Sequence, residues 1–423
     1  MLISKRLFWL GEVFFLAAVT LLIIRNNNYP LIIKRASDIY FFSSLIIAIF
    51  ALFYNRGWSA FLKKIKNPLV GFLFVFTGLF ISSFAGYLLN GRMMGGEGIL
   101  TLLRFIEVGI IIFLVALFQS DDSDFYKKVA IVQLSTLAYL PFLFIRQINP
   151  DDNMGRFNFF ENWPSNVGYY LIVSLAFTIV WLLFYIKPFK WKFIVIYIVS
   201  IGFTSILLGT QSRASWLAIF IIVIFTFLLW IYKERVKILH ILLGAVIIIS
   251  LIPLGFFILP KPMDTIVLLR IFPRIESGKD FSERSSEIIT TINKQKLISQ
   301  VREAGGRPRL WKIYIKKLIR QPLGFGLNYK PINIGQGDQG PHNTPLETLV
   351  LGGIIALAGT GYLLFLAFKN VGTALFNHKT NYQWPLYIFI SLSGLFIASL
   401  FDNMVTFRLM WVMIALAMWF DVT

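Results

Sequence analysis

His342 stands in Gly340-Pro341-His342-Asn343-Thr344, where a long basic segment runs into an apolar one. The chain has three histidines, His240, His342 and His378. Imidazole is the side chain best suited to accept and return a proton near neutral pH. Arginines are candidate anion binders, because a guanidinium grips a diphosphate through paired hydrogen bonds. Arg213 lies in TQSRASW (210–216), between two apolar runs. Arg307 and Arg309 flank Pro308 at the start of a basic amphipathic stretch. Arg408 follows Asp402 in the last polar break of the chain. A lone imidazole among arginines at one membrane face points to a proton acceptor beside a bound phosphate-bearing lipid. Asn343 and Asp402 are its candidate supports. The plainer readings are a snorkelling arginine at 213 and a turn histidine at 342.

Composition dictates what must position these groups. Hydrophobic residues make up 57% of the 423 and charged residues only 14%. Apolar runs of about 20 residues recur from end to end, the length that crosses a bilayer as helix. The runs are continuous rather than alternating, which excludes a barrel, since lipid admits only helices or closed barrels. Twelve spans are expected, at 7–24, 39–54, 69–89, 99–118, 129–148, 166–186, 193–209, 215–232, 238–259, 344–368, 384–401 and 404–420. Lys5 and Arg6 precede the first, and no small-residue cleavage site follows it. It is expected to be retained.

The short loops alternate in charge. One set carries sixteen Lys and Arg and the other seven, leaving out the long loop 260–341. The richer set is cytoplasmic by the positive-inside rule, which puts both termini inside and loop 260–341 outside. The expected fold class is therefore all-α: one transmembrane domain over 1–423, with a large exterior loop, 260–341, between spans nine and ten. That loop carries fifteen basic and seven acidic residues. Its net positive charge suits anionic lipid or glycan. Within it, 309–321 is expected to be helical, opened by Pro308 and closed by Pro322. Leu310, Trp311, Tyr314, Leu318 and Ile319 are placed on one side and Arg309, Lys312, Lys316 and Arg320 on the other. This is the pattern of a helix lying in the headgroup region.

Buried charge needs partners. Arg104 and Glu107 fall on one face of the fourth span and are expected to form an ion pair. No cysteine is present, so thiolate chemistry is excluded. Asp121, Asp122 and Asp124 cluster on the inner side, and Asp151 and Asp152 on the outer. Asp151 and Asp152 offer oxygen ligands that could hold a divalent cation, but no compact metal-ligand spacing occurs, and no metal, cofactor or nucleic-acid partner is expected.

Four segments in order, TQSRASWLA, RPRLWKIYIKKLIRQPLGFG, PHNTPLETLVLGGIIALAG and FDNMVTFRLMW, resemble the O-antigen ligase and polymerase superfamily. The resemblance is strongest over about residues 200–410. GRFNFFENWPSNVG (155–168) resembles the asparagine-bearing loop found upstream. The resemblance implies a metal-independent, inverting glycosyltransferase of GT-C-like architecture in the bacterial inner membrane, with its site facing the periplasm. The implied donor is a glycan on undecaprenyl diphosphate. The acceptor is lipid A-core for a ligase, or another lipid-linked glycan for a polymerase of O-antigen, capsule or exopolysaccharide. By the same resemblance His342 is the base and Arg213 and Arg309 the diphosphate binders, with Arg307 a second choice for Arg309. Two readings of other classes stand beside it. A transporter or glycan flippase would use Arg104, Glu107 and Arg408 as a pathway, although transporter sites sit near the midplane. A non-catalytic scaffold would tolerate loss of His342.

Overall fold

The computed structural model describes residues 2–21, 36–55, 58–90, 96–122, 124–138, 164–185, 191–210, 212–234, 238–259, 306–327, 329, 332–333, 338–377, 382–405 and 407–420. Residues 260–305, which include most of the long loop, lie outside them. So do Asp151, Asp152, His378 and most of 155–168.

Helices lie in the stretches read as spans, although 139–148 of the fifth lie outside the described residues. In chain order these are α1 (Leu2–Leu21), α2 (Ala36–Asn55), α3 (Trp58–Asn90), α4 (Gly96–Asp121), α5 (Phe125–Ala138), α6 (Pro164–Tyr185), α7 (Trp191–Thr210), α8 (Arg213–Glu234) and α9 (Ile238–Ile258). Then come α10 (Gly306–Arg320), β1 (Ile332–Asn333), β2 (Asp338–Gln339), α11 (Thr344–Asn377), α12 (Gln383–Ser399) and α13 (Arg408–Met418). The two strands pair antiparallel over two residues each. All other regular structure among the described residues is helical. Among the described residues eight helices, α2, α3, α4, α6, α7, α8, α9 and α11, are long and apolar enough to cross a membrane. α12 and α13 are apolar but shorter.

Two helices run well past the apolar runs that announce them. α3 begins at Trp58 rather than 69, and α11 continues to Asn377 rather than 368. Lys63, Lys64 and Lys66 lower the hydropathy at the start of α3 while favouring helix, because straight-chain residues lose little freedom there. All three are exposed.

Two compact units are present. The first comprises Met1–Gln133, Pro308–Leu392 and Ser399–Thr423; the second comprises Leu134–Arg307 and Ser393–Ala398. In the first unit α3 and α11 are in extensive contact, α1 packs on α2, and α13 lies against α4 and α11. Small residues bring α3 and α11 together: a Cβ on Gly78 would stand 2.6 Å from the Gly352 carbonyl oxygen. Such close approach is how helices associate in lipid, where apolar burial offers little drive. α13 is buried along its whole length from Leu409 to Met418. Its far end is capped from α11, whose Asn370 Nδ2 donates to the Met418 carbonyl at 2.6 Å. In the second unit α6 packs on α7 and α8, and α9 packs on α7.

Candidate functional site

His342 is the one non-glycine residue with positive φ, +48°, among the described residues. Side chains rarely adopt this left-handed backbone, although histidine does so more readily than most. The neighbours hold it there. On one side, Trp311 Nε1 of α10 donates to the Pro341 carbonyl at 2.7 Å. On the other, Asn343 caps α11, its Oδ1 accepting the Leu346 N–H at 2.8 Å. Such a cap stabilises a helix by about 1 kcal/mol. The same side chain reaches the turn between α12 and α13, Nδ2 donating to the Leu400 carbonyl at 2.7 Å.

Thr344 completes the clamp. Its hydroxyl donates to the Asp402 carbonyl at 2.9 Å and accepts the Met404 N–H at 2.7 Å. Asn343 and Thr344 thus fix the turn that carries Asp402. The Asp402 carboxylate then faces His342, with Oδ1 3.8 Å from Nδ1. That is too long for a hydrogen bond, and it sets a carboxylate beside the imidazole. The His342 side chain is 43% exposed, open to a partner from outside. The His-Asn-Thr and Phe-Asp-Asn motifs, distant in sequence, are two halves of one hydrogen-bonded construction.

Beneath this loop lies a buried pair that sequence reasoning missed. Tyr329 donates its hydroxyl to Glu347 Oε1 at 2.9 Å. Burial, and then the adjacent carboxylate, push the Tyr329 phenol above its ordinary range, so it remains a donor. Glu347 is 6% exposed, and its Oε2 has no hydrogen-bond partner among the described residues. Gly340 crosses over the pair; a Cβ there would lie 3.4 Å from the Tyr329 hydroxyl and 3.6 Å from Glu347 Oε2. A lone acid one turn into an apolar span was the available signal, since a buried carboxyl in lipid demands a partner.

α10 begins three residues ahead of the expected 309. Leu310, Tyr314 and Leu318 are buried against Leu346 and Val350, and Trp311 packs at their edge. Ile319 does not join them; it is 75% exposed. At 100° per residue it stands half a turn away from Leu310, so grouping it with the core face was an error of phase. Arg307 is exposed on the first turn. Arg309 is on the same turn, and its side chain lies outside the described residues.

The chain leaves α10 through a turn that bonds to α11. α11 is broken at Gly353, with φ +66° and ψ −166°. The break frees the Val350 carbonyl and the Ile354 N–H, which would otherwise bond each other. Residues 322–325 take both places: the Phe325 N–H donates to Val350 at 2.7 Å, and the Pro322 carbonyl accepts from Ile354 at 3.1 Å. Gly324, at φ +84°, is pressed against Gly353, where a Cβ would come within 2.6 Å of its nitrogen.

Arg408 opens α13. Its Nη1 donates to Ser37 Oγ at 2.7 Å, and its Nη2 pairs with the Asp38 carboxylate and with Glu107 Oε2 at 2.7 Å. The cation that meets buried Glu107 across helices is Arg408, and Arg104, exposed one turn away, also acts on Glu107 through its charge. A cation at a helix start opposes the dipole, and the two carboxylates offset that. Arg408→Met is expected to lower stability by about 3 kcal/mol, because partly buried Asp38 and buried Glu107 both lose their cation. Adding Asp38→Asn and Glu107→Gln should restore most of the loss. Thermal melting in detergent checks it; equal melting of the parent and the single variant would show that Arg408 is not a clamp.

Arg213 belongs to the second unit, where polar residues build its turn. Ser212 Oγ accepts the Ser215 N–H at 3.4 Å and bonds the Ser215 hydroxyl at 2.9 Å. Trp216 Nε1 donates to the Leu207 carbonyl at 3.0 Å, closing α8 back on α7. Arg213 is the first residue of α8 and is exposed. The helix start and the guanidinium both favour an anion there. No group of three or more His, Asp or Glu among the described residues is arranged to hold a metal ion.

Residues 198–361 match the O-antigen ligase family. The matched segment runs from α7 into α11 and contains Arg213, Arg307, Arg309, His342 and Asn343. It stops short of Asp402 and Arg408. The match covers less than half of the chain, and eight helices among the described residues are long and apolar enough to span a membrane. No curated protein matches the chain.

Proposed function

We propose that the protein is an O-antigen ligase-like glycosyltransferase at the outer face of the bacterial inner membrane, of GT-C-like architecture and with both termini cytoplasmic. Its donor is a glycan carried on undecaprenyl diphosphate, and its acceptor is a sugar hydroxyl of lipid A-core. The observation that carries this reading is His342, held at positive φ, half exposed, with Asp402 beside Nδ1.

With Nδ1 turned to Asp402, Nε2 takes the acceptor proton. The acceptor oxygen attacks the anomeric carbon as the bond from that carbon to the diphosphate oxygen breaks. One displacement inverts the configuration. The proton rests on His342, whose charge Asp402 offsets, and undecaprenyl diphosphate leaves. Diphosphate leaves well once its charge is held, so no strong acid or metal is required. Arg213 and Arg309 hold that charge, with Arg307 able to replace Arg309, and fixed cations of this kind act most strongly as charge develops. Arg408, already engaged by Asp38 and Glu107, supports the fold around the site.

Arg213→Ala and Arg309→Ala are each expected to weaken donor binding about tenfold to a hundredfold, as loss of a charged hydrogen bond implies. Titration of purified variants with donor measures this, and unchanged affinity in both removes them from the diphosphate site. Deleting the gene and separating surface glycans by size tests the reaction class. Loss of all long chains from lipid A-core, with lipid-linked polymer accumulating, marks a ligase. Single repeats remaining on core mark a polymerase.

A further inference from the structure

α10 presents three ridges at four-residue spacing. Leu310, Tyr314 and Leu318 are buried. Lys312, Lys316 and Arg320 are exposed. Ile315, Ile319 and, past the helix end, Leu323 form a third ridge, exposed by 49%, 75% and 41%. At 100° per residue the apolar ridge runs directly beside the basic one, away from the protein. Exposed isoleucines on a helix facing water would be wasted. Beside a row of long cations they make a surface that enters lipid to the depth of the headgroups, with the charges left at phosphate level.

The packing fixes where that surface lies. The buried ridge rests on Leu346 and Val350, in the first two turns of α11. α11 is long and apolar enough to cross a membrane. α10 therefore sits where a span meets the interface. It holds Arg307, Arg309, Lys312, Lys316, Lys317 and Arg320 and no acidic residue. We infer that α10 is an interfacial foot docked on the anionic phospholipid headgroups of the leaflet in which α11 begins. Its Trp311 bond to the Pro341 carbonyl carries the depth of that foot to the backbone next to His342. The occupant is surrounding phospholipid, and docking does not rest on the transferase reading.

The chain has no cysteine, so a single Ile319→Cys variant carries one fluorophore and reports alone. The full-length protein, labelled there with a polarity-sensitive dye, is placed in vesicles of phosphatidylcholine and in vesicles of phosphatidylcholine with phosphatidylglycerol. In the anionic vesicles the emission should shift to the blue, and quenching by aqueous acrylamide should fall several-fold. The same label on a Lys312→Gln, Lys316→Gln, Arg320→Gln background should lose the difference between vesicles. Quenching as strong as for free dye in both vesicles overturns the proposal. Equal protection in both overturns headgroup recognition.

Discussion

His342→Ala should reduce glycan transfer about a hundredfold to ten-thousandfold, the range that general-base catalysis contributes. Fold and donor binding should survive. The clamp around the residue runs through the Pro341 carbonyl, the Asn343 side chain and the Thr344 hydroxyl, none of which touches the imidazole. The ring is partly exposed, so its removal leaves no sealed cavity. Alanine at positive φ costs about 1–2 kcal/mol, which His342→Asn lessens, because asparagine tolerates that backbone. Both variants should melt near the parent, and both should lose transfer, since neither side chain accepts a proton near neutral pH. The measurement is transfer of a labelled glycan from its lipid diphosphate, alongside donor titration. Transfer within a few-fold of the parent in either variant would remove His342 as the base. Loss of donor binding together with transfer would instead make it a binding residue.

Much of the fold was legible because lipid imposes a simple rule. A backbone that cannot meet water must bond to itself, and a helix needs about 20 apolar residues to cross. Eight of the twelve apolar runs accordingly lie in helices long enough to cross, among the described residues. α10 was legible from Pro308 and the spacing of Leu310, Tyr314 and Leu318. Ile319 was misjudged because spacing was matched locally rather than carried around the whole turn. His342 and Asn343 stood out by type. What fixes them did not, because Asn343 to Leu400 spans 57 residues and Arg408 to Asp38 spans 370. Pairings over such distances follow from tertiary packing. Tyr329 was missed for the same reason, since it is unremarkable until burial joins it to Glu347. Nothing local announced that Gly353 breaks α11 to admit another segment.

Gly353→Ala should therefore be among the most damaging single changes in the protein. A Cβ at this position would lie 2.4 Å from both the carbonyl carbon and the carbonyl oxygen of Leu323. Those are backbone atoms, with no rotamer to turn aside. The φ of +66° adds the ordinary left-handed cost of about 1–2 kcal/mol. To avoid the methyl, residues 322–325 must withdraw, which leaves the Val350 carbonyl and the Ile354 N–H without the partners they have. Unpaired buried groups cost about 1–3 kcal/mol each. The sum is expected to reach at least about 3 kcal/mol, in the range of severe single changes. The damage should spread, because the segment that withdraws is also the anchor of α10, and α10 holds the Pro341 carbonyl through Trp311. Gly361→Ala is the control. It lies in the same helix with nothing within 4 Å of a built Cβ, and alanine there should be neutral or stabilising by up to about 1 kcal/mol. Melting of both variants, with transfer measured below the lower midpoint, separates the outcomes. A Gly353→Ala protein that melts with the parent and transfers normally would mean that the break in α11 does not hold the site.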